Sequence, residues 1–216
     1  MKNQCPLFPT RRALLGAGAA FSLAAAWPAH RAQAQAQGPA QSPAQAQGHV
    51  GFGPVRPPVA APALRLTGTD GKPWLLPSAL EGRITALQLM FTGCSATCPI
   101  QGAAFADAQQ KLEHDAADLR LLSVSIDPLG DDRRALAAWL ARYGAKPQRW
   151  TAALPRAQDV DPLLDFVRGR ASGADRHTPQ IYLFDRRARL VYRTADLPSG
   201  EQLALLMRQI ATLGKQ

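Results

Sequence analysis

The sequence predicts an α/β protein built on one central sheet that contains parallel strands and is flanked by helices. Two mostly apolar runs, 84–91 and 119–126, suit buried strands, and each is followed by a helix-forming segment. Two further runs, 180–184 and 190–193, suit a closing hairpin. Strands that alternate with helices imply parallel pairing, and about 155 ordered residues are enough for one domain with its own core.

The chain begins with a segment typical of an export signal. Arg11 and Arg12 precede an apolar run over 13–27, and a small-x-small cleavage pattern, Ala-Gln-Ala, follows at 32–34. The run would make a helix of about 22 Å, short of a hydrocarbon core of about 30 Å, which favours cleavage over a retained anchor. The adjacent arginines also resemble a twin-arginine signal, which carries folded proteins, and the open alternative is an ordinary secretory n-region. We therefore expect export to the periplasm, with membrane attachment only if residues 1–34 are retained.

A composition shift separates this signal from the rest of the chain. Residues 35–60 are rich in Ala, Gln, Pro and Gly and lack a periodic apolar face, which predicts a disordered linker. The folded domain is predicted over 61–216. Four of the 25 basic residues and no acid lie in 1–34, so the remainder carries a net charge of +5 rather than +9. Its arginines are scattered, which argues against a nucleic-acid partner.

The elements of the domain follow from turn residues and apolar spacing. Gly68 and Gly71 flank a turn between two short extended runs, which predicts an N-terminal β-hairpin over 64–76. Pro99 suits a first helical turn, and Gly144 suits a helix end. We expect helices over 99–116, 131–143, 160–168 and 200–213, and a short strand near 149–151.

The cysteines indicate chemistry rather than a structural staple. Cys5 lies in the signal, so an exported protein keeps only Cys94 and Cys98, which close too small a loop to restrain the unfolded chain. Both follow a buried strand and stand at a helix start, where the helix dipole favours the thiolate. Positions four apart share one helical face, so the pair is suited either to forming a disulfide or to holding one soft metal, Cu(I) or zinc.

The motif Cys-x-x-x-Cys-Pro after a buried strand resembles the Sco/SenC family of thioredoxin-fold proteins. The resemblance continues in order through 125–128 (Ser-Ile-Asp-Pro), Tyr143-Gly144 and Asp175-Arg-His177 before 181–185, and it covers residues 62 to 213. It implies a thioredoxin-like fold and a copper site made by Cys94, Cys98 and His177, for Cu(I) and, with a further ligand, Cu(II).

The resemblance also implies partners. Family members supply copper to the Cu(A) centre of cytochrome c oxidase, and others reduce the disulfide of the same target cysteines. The leading hypothesis is therefore a monomeric periplasmic metallochaperone whose recipient is a cuproprotein such as an oxidase subunit. The second is an enzyme, a thiol–disulfide oxidoreductase in which Cys94 attacks and Cys98 resolves. A peroxidase ranks lower, because the Thr-x-x-Cys pattern is missing, and a module with an inert disulfide ranks last.

Two positions depart from the expected pattern. Ser95 follows the first cysteine where the family often has proline, and Thr178-Pro179 follows His177 where ordinary thioredoxins have a cis-proline. Asp127 has two open interpretations, orientation of a ligand or shaping of a turn. His114 is expected to be a surface residue on the first long helix.

Overall fold

An eight-stranded mixed sheet forms the centre of the protein. The computed structural model describes residues 51–172 and 176–214, which fall in the unit Ala46–Gln216. The predicted signal and the part of the predicted linker over 35–50 lie outside them. The strands are β1 (Gly53–Ala60), β2 (Arg65–Gly68), β3 (Pro73–Leu75), β4 (Ile84–Met90), β5 (Leu119–Ser125), β6 (Trp150–Pro155), β7 (Ile181–Phe184) and β8 (Arg189–Arg193). The helices are α1 (Leu76–Leu80), α2 (Thr97–Lys111), α3 (Arg133–Arg142), α4 (Ala157–Val167) and α5 (Gly200–Leu213).

The strand order is β1-β8-β7-β4-β5-β6-β2-β3. The pairs β4–β5 and β5–β6 are parallel, whereas the five other neighbouring pairs are antiparallel. All seven residues of β4 are buried, as expected of a central strand covered on both faces. The predicted fold class, a mixed sheet flanked by helices, is confirmed.

Helices cover both faces of the sheet. On one face α2 and α5 pack through residues such as Phe105, Leu203 and Met207. On the other face α1 and α4 contribute their apolar sides, among them Leu80 and Leu164. Helix α3 completes a third cluster, which brings the carboxyl end of β4 together with the cysteines. The cysteine pair therefore lies where strand β4, helix α2 and helix α3 meet.

The expectation of a disordered linker up to residue 60 is wrong over 53–60, which form strand β1. This strand pairs antiparallel with β8 at both its ends, with a register shift between Pro54 and Val59. Only Val55 among its side chains is buried. An edge strand tolerates prolines and is stabilised by backbone pairing, neither of which produces a periodic apolar pattern. The ordered chain therefore starts before the predicted boundary.

Helices α2 and α4 differ most from the expectation in their bounds, and α4 begins at Ala157 rather than at residue 160. Helix α2 ends at Lys111 rather than near residue 116, so His114 lies exposed in the turn after the helix and not on it. The short helix α1 was not expected. Within residues 51–172 and 176–214, no helix combines the length and the apolarity needed to cross a membrane.

Candidate metal centre

The two cysteines sit at the junction between β4 and α2. Cys94 lies in the connecting loop and Cys98 in the first turn of the helix, and their side chains are buried, with exposed fractions of 7% and 0%. The N-cap residue Ala96 offers no side-chain acceptor. Instead the backbone N–H of Cys98 donates to Cys94 Sγ over 3.4 Å. Such a donor at a helix N-terminus favours negative charge on the sulfur.

His177 lies against the second cysteine. Its Nε2 is 4.0 Å from Cys98 Sγ, and the side chain is 3% exposed. Its Nδ1 is 3.0 Å from the carbonyl oxygen of Thr178. Because a carbonyl oxygen can only accept, Nδ1 carries a hydrogen, and in the neutral ring the lone pair is then on Nε2, which faces the thiol. The Phe91 ring meets the imidazole edge-on, with centroids 6.5 Å apart.

The loop that carries His177 is anchored on both sides. His177 forms an antiparallel bridge with Arg170, and Thr178 N donates to Gly169 O over 2.8 Å. The Arg170 guanidinium in turn binds two carboxylates of α4, at 2.9 Å and 2.5 Å. The loop of His177 is thus connected to α4 through Arg170.

A buried tyrosine supports the same loop from below. The hydroxyl of Tyr182 lies 2.8 Å from Thr178 Oγ1, directly after the histidine. Burial raises the pKa of Tyr182 to about 12, and the hydrogen bond with Thr178 only partly opposes this shift. The tyrosine therefore stays neutral at physiological pH and keeps its hydrogen bond.

Asp131 is the site residue that sequence reasoning missed. Its carboxylate, 6% exposed, accepts from the backbone N–H and the hydroxyl of Thr92 and, at 2.7 Å, from Ser125 Oγ. Asp127, which the sequence singled out instead, is exposed and accepts from Gly130 N over 3.0 Å, so it shapes a turn. The adjacent acids at the start of α3 were the available signal: Asp132 caps the helix, which leaves Asp131 for another partner.

Of the three predicted site residues, Cys98 is the one that contacts both of the others. Cys98 adjoins both Cys94, through its backbone N–H, and His177, through its sulfur. In the part of the chain that the structure describes, no three His, Cys, Asp or Glu side chains already form a metal-binding group. Asp175 lies outside the described residues. The cis peptide bond of the described chain is Arg56–Pro57 and not Thr178–Pro179.

The donor set suits a soft metal. Two thiolate sulfurs and a neutral imidazole favour Cu(I) or zinc over hard cations. Metal–sulfur and metal–imidazole bonds of about 2.3 Å and 2.1 Å, the values for zinc, can bridge the 4.0 Å between Cys98 Sγ and His177 Nε2 at an open angle. Cys94 lies on the loop before α2, where its sulfur accepts from the backbone N–H of Cys98.

A dithiol at the end of a central strand, opposite a loop before an antiparallel strand, defines a thioredoxin-like protein. The comparison with protein families makes the assignment specific, since the SCO1/SenC family model matches residues 58–212. The chain belongs to the SCO1/SenC family. The expected resemblance is confirmed.

Individual relatives agree with this assignment. The SCO1 protein homolog of Bacillus subtilis (strain 168) is 35% identical over 81 residues, which are 38% of this chain and 42% of the relative. The match therefore spans less than half of that relative's length.

Solved structures show the shared fold. Yeast Sco1 with copper bound has a TM-score of 0.61 at 16% identity, covering 72% of this chain and 90% of the yeast chain. BsSco, a member of the Sco family of cytochrome c oxidase assembly proteins in which a disulfide switch was identified, also has a TM-score of 0.61, at 19% identity, covering 74% and 98%.

Proposed function

We propose that this protein is a periplasmic metallochaperone that binds copper through Cys94, Cys98 and His177. The protein would deliver copper to a cuproenzyme site such as the Cu(A) centre of cytochrome c oxidase, or would prepare that site for copper. Family membership and the copper bound to yeast Sco1 support the choice of metal. The description of BsSco as a member of a family of oxidase assembly proteins supports the choice of recipient.

The contact between Cys98 and His177 carries the proposal. The Nε2 lone pair faces the sulfur at 4.0 Å, while Nδ1 is occupied by a backbone carbonyl. Metal-ligating histidines commonly donate their second ring N–H to such an acceptor, which fixes the ring and its tautomer. A histidine that only filled core volume would not need this orientation.

The position of Cys94 suits a ligand that exchanges its metal. It precedes α2, and its neighbours Ser95 and Ala96 are exposed. A recipient thiolate would therefore reach the metal from the Cys94 side, with Cys98 and His177 behind it. Two exposed apolar side chains, Ile100 in the first turn of α2 and Leu129 in the loop before α3, offer contacts for the recipient beside this entrance.

Thiol–disulfide exchange is the second candidate function, and one contact favours it. The N–H of Cys98 donates to Cys94 Sγ, which stabilises a Cys94 thiolate as the attacking group. This thiolate would form a mixed disulfide with one sulfur of a partner disulfide and release the other as a thiolate. Attack by the Cys98 thiolate on Cys94 Sγ would then release the second partner thiolate, so that two electrons pass from the pair to the partner.

The test is an anaerobic titration of the reduced protein with Cu(I) against a competing chelator. We expect one copper per chain, with affinity reduced at least roughly tenfold in Cys94→Ser, Cys98→Ser and His177→Ala. His114→Ala is the matched control, because that ring is exposed in the turn after α2. X-ray absorption of the loaded protein should count two sulfur ligands and one imidazole.

Two outcomes would contradict the proposal. Equal affinities of His177→Ala and His114→Ala would remove His177 from the site. Copper binding too weak to compete, together with rapid reduction of a disulfide substrate by the wild type and not by Cys94→Ser, would establish the oxidoreductase instead.

A further inference from the structure

A cleft of about 510 Å³ lies at the other end of the parallel strands from the cysteines. It is lined by the second residues of β4, β5 and β6, which are Thr85, Arg120 and Thr151, and by the β2–β3 pair with Trp74. Thr85 and Met90 are five positions apart along β4, a distance of about 16 Å at the usual rise of a strand. The cleft is therefore separate from the metal centre, and its size is that of a small-molecule site.

Two arginines give the cleft an uncompensated positive charge. Arg83 and Arg120 both line it and are half-buried. Among the described residues, Arg83 donates only to the carbonyls of Ala79 and Glu81, and the guanidinium of Arg120 has no hydrogen-bond acceptor. Burial, followed by repulsion from Arg83 and Arg149, lowers the pKa of Arg120 from its usual range.

The nearby acids are engaged elsewhere. Asp118, which attracts Arg120 only weakly, is bound to Arg186 at 2.6 Å. Asp70 lies at the exposed rim of the cleft, where its carboxylate accepts from Lys72 N over 3.0 Å and lies 3.9 Å from Lys72 Nζ. Neither carboxylate neutralises the arginine pair.

A buried hydroxyl points to a ligand independently of the charge. Thr85 is 2% exposed, lines the cleft, and its Oγ1 has no hydrogen-bond partner among the described residues. Leaving a buried hydroxyl unsatisfied costs about 1–3 kcal/mol, so such groups are normally paired in native proteins. An acceptor in the cleft would satisfy it. The indole of Trp74 forms an adjacent aromatic wall.

We propose that this cleft binds a small organic oxyanion, a carboxylate or phosphate on an apolar body. The anionic group is held by the guanidinium groups of Arg83 and Arg120 and accepts a hydrogen bond from Thr85 Oγ1, and the apolar body lies against Trp74. Guanidinium groups are well suited to both anions because they offer paired, charged donors.

The experiment is a titration of the purified protein with phenyl phosphate, benzoate and uncharged benzyl alcohol, followed through the indole N–H resonance of Trp74. We expect at least one of the two anions to saturate the shift at millimolar concentration or below, and benzyl alcohol to have no effect. The anion that binds more tightly identifies the preferred group. Failure of both anions to saturate at millimolar concentration would overturn the proposal.

Three variants locate the site. Arg120→Gln and Thr85→Val should each weaken anion binding about tenfold, whereas Arg187→Gln, whose exposed side chain does not line the cleft, should not. Without ligand, Thr85→Val should raise the Tm by about 2–4 °C, because it removes the unsatisfied hydroxyl, so weaker binding in this variant is not a folding defect. An equal loss of anion affinity in Arg187→Gln and Arg120→Gln would show that the anion is attracted by the overall positive charge and not by this cleft, and would overturn the proposal.

Discussion

Asp131 holds the cysteine loop through Thr92, although 39 residues separate the two positions. Both carboxylate oxygens lie 3.1 Å from Thr92 N, and the threonine hydroxyl donates to the same group. Ser125, at the end of β5, donates a further hydrogen bond at 2.7 Å. One buried carboxylate thus joins the ends of β4 and β5 two residues before Cys94.

Replacing Asp131 with asparagine should loosen this junction. The amide keeps the shape but has only one acceptor oxygen, and its NH₂ group would face the donors of Thr92 and Ser125. We expect the free energy of unfolding, measured by denaturant titration, to fall by about 1–3 kcal/mol. The affinity for Cu(I) should fall as well. Asp132→Asn is the matched control, because asparagine caps a helix as well as aspartate does. Equal unfolding midpoints for the two variants would contradict this role of Asp131.

Tyr182 should make stability depend on alkaline pH. Its pKa is about 12 in the folded protein, against about 10 for an exposed tyrosine. Between pH 10 and pH 12 the tyrosine is deprotonated in the unfolded chain but still protonated in the folded protein. The contribution of Tyr182 to stability is therefore complete below pH 10 and is lost as the pH rises toward 12. The free energy of unfolding should fall by about 2–3 kcal/mol across this window.

The matched variants are Tyr182→Phe and Tyr192→Phe, measured by denaturant titration at several pH values. Tyr182→Phe should flatten the alkaline decline, whereas Tyr192→Phe, on the partly exposed side of β8, should keep it. A decline of the same steepness in wild type and Tyr182→Phe would assign it to other groups.

The central strands and the cysteine junction could be predicted because their pattern is local. The runs that became β4 and β5 are continuously apolar, and the helix formers after Cys98 mark the start of α2 within two residues. The burial of such a segment can be predicted from its own residues, because a strand covered on both faces has no polar side. The tautomer of His177, in contrast, depends on its contact with Thr178 and was not readable from sequence.

Features that depend on a distant partner were missed. Strand β1 is stabilised by pairing with β8, which is more than 120 residues away in the sequence. Its proline-rich composition is typical of a linker, so the sequence predicted one there. The role of Asp131 could not be predicted without knowing that Thr92, which is distant in sequence, lies beside its carboxylate in the fold. The Arg83–Arg120 cleft arises because strands β4 and β5 align Thr85 with Arg120 in register. Periodicity within one segment contains none of this information.

Gly102 should resist substitution because it lets α2 approach α3 closely. A Cβ at this position would lie 2.5 Å from the Tyr143 ring and 3.0 Å from that of Trp139. We expect Gly102→Ala to lower the free energy of unfolding by about 1–2 kcal/mol, since overpacking outweighs the gain in helix propensity. Chemical denaturation measures the change.

Gly93→Ala provides the comparison. The nearest atom to its Cβ would be Phe91 Cδ2 at 3.9 Å, and the backbone is outside the left-handed region, so this turn does not require glycine. Stability should stay near that of the wild type. A larger loss for Gly93→Ala than for Gly102→Ala would contradict the packing described for α2 and α3.

Strand β1 should stabilise the domain although its composition resembles a linker. A chain that begins at Pro62 lacks β1 and leaves β8 as an unpaired edge, whereas a chain that begins at Gly51 keeps the pairing and the buried Val55. We expect the shorter chain to lose about 2 kcal/mol or more in the free energy of unfolding and to self-associate in size-exclusion chromatography, because an exposed edge strand recruits other strands. Equal unfolding midpoints and elution volumes would show that β1 contributes nothing. None of Cys94, Cys98 and His177 lies in β1 or in its partner β8, so Cu(I) affinity should be the same in both chains, which separates loss of the edge from loss of the site.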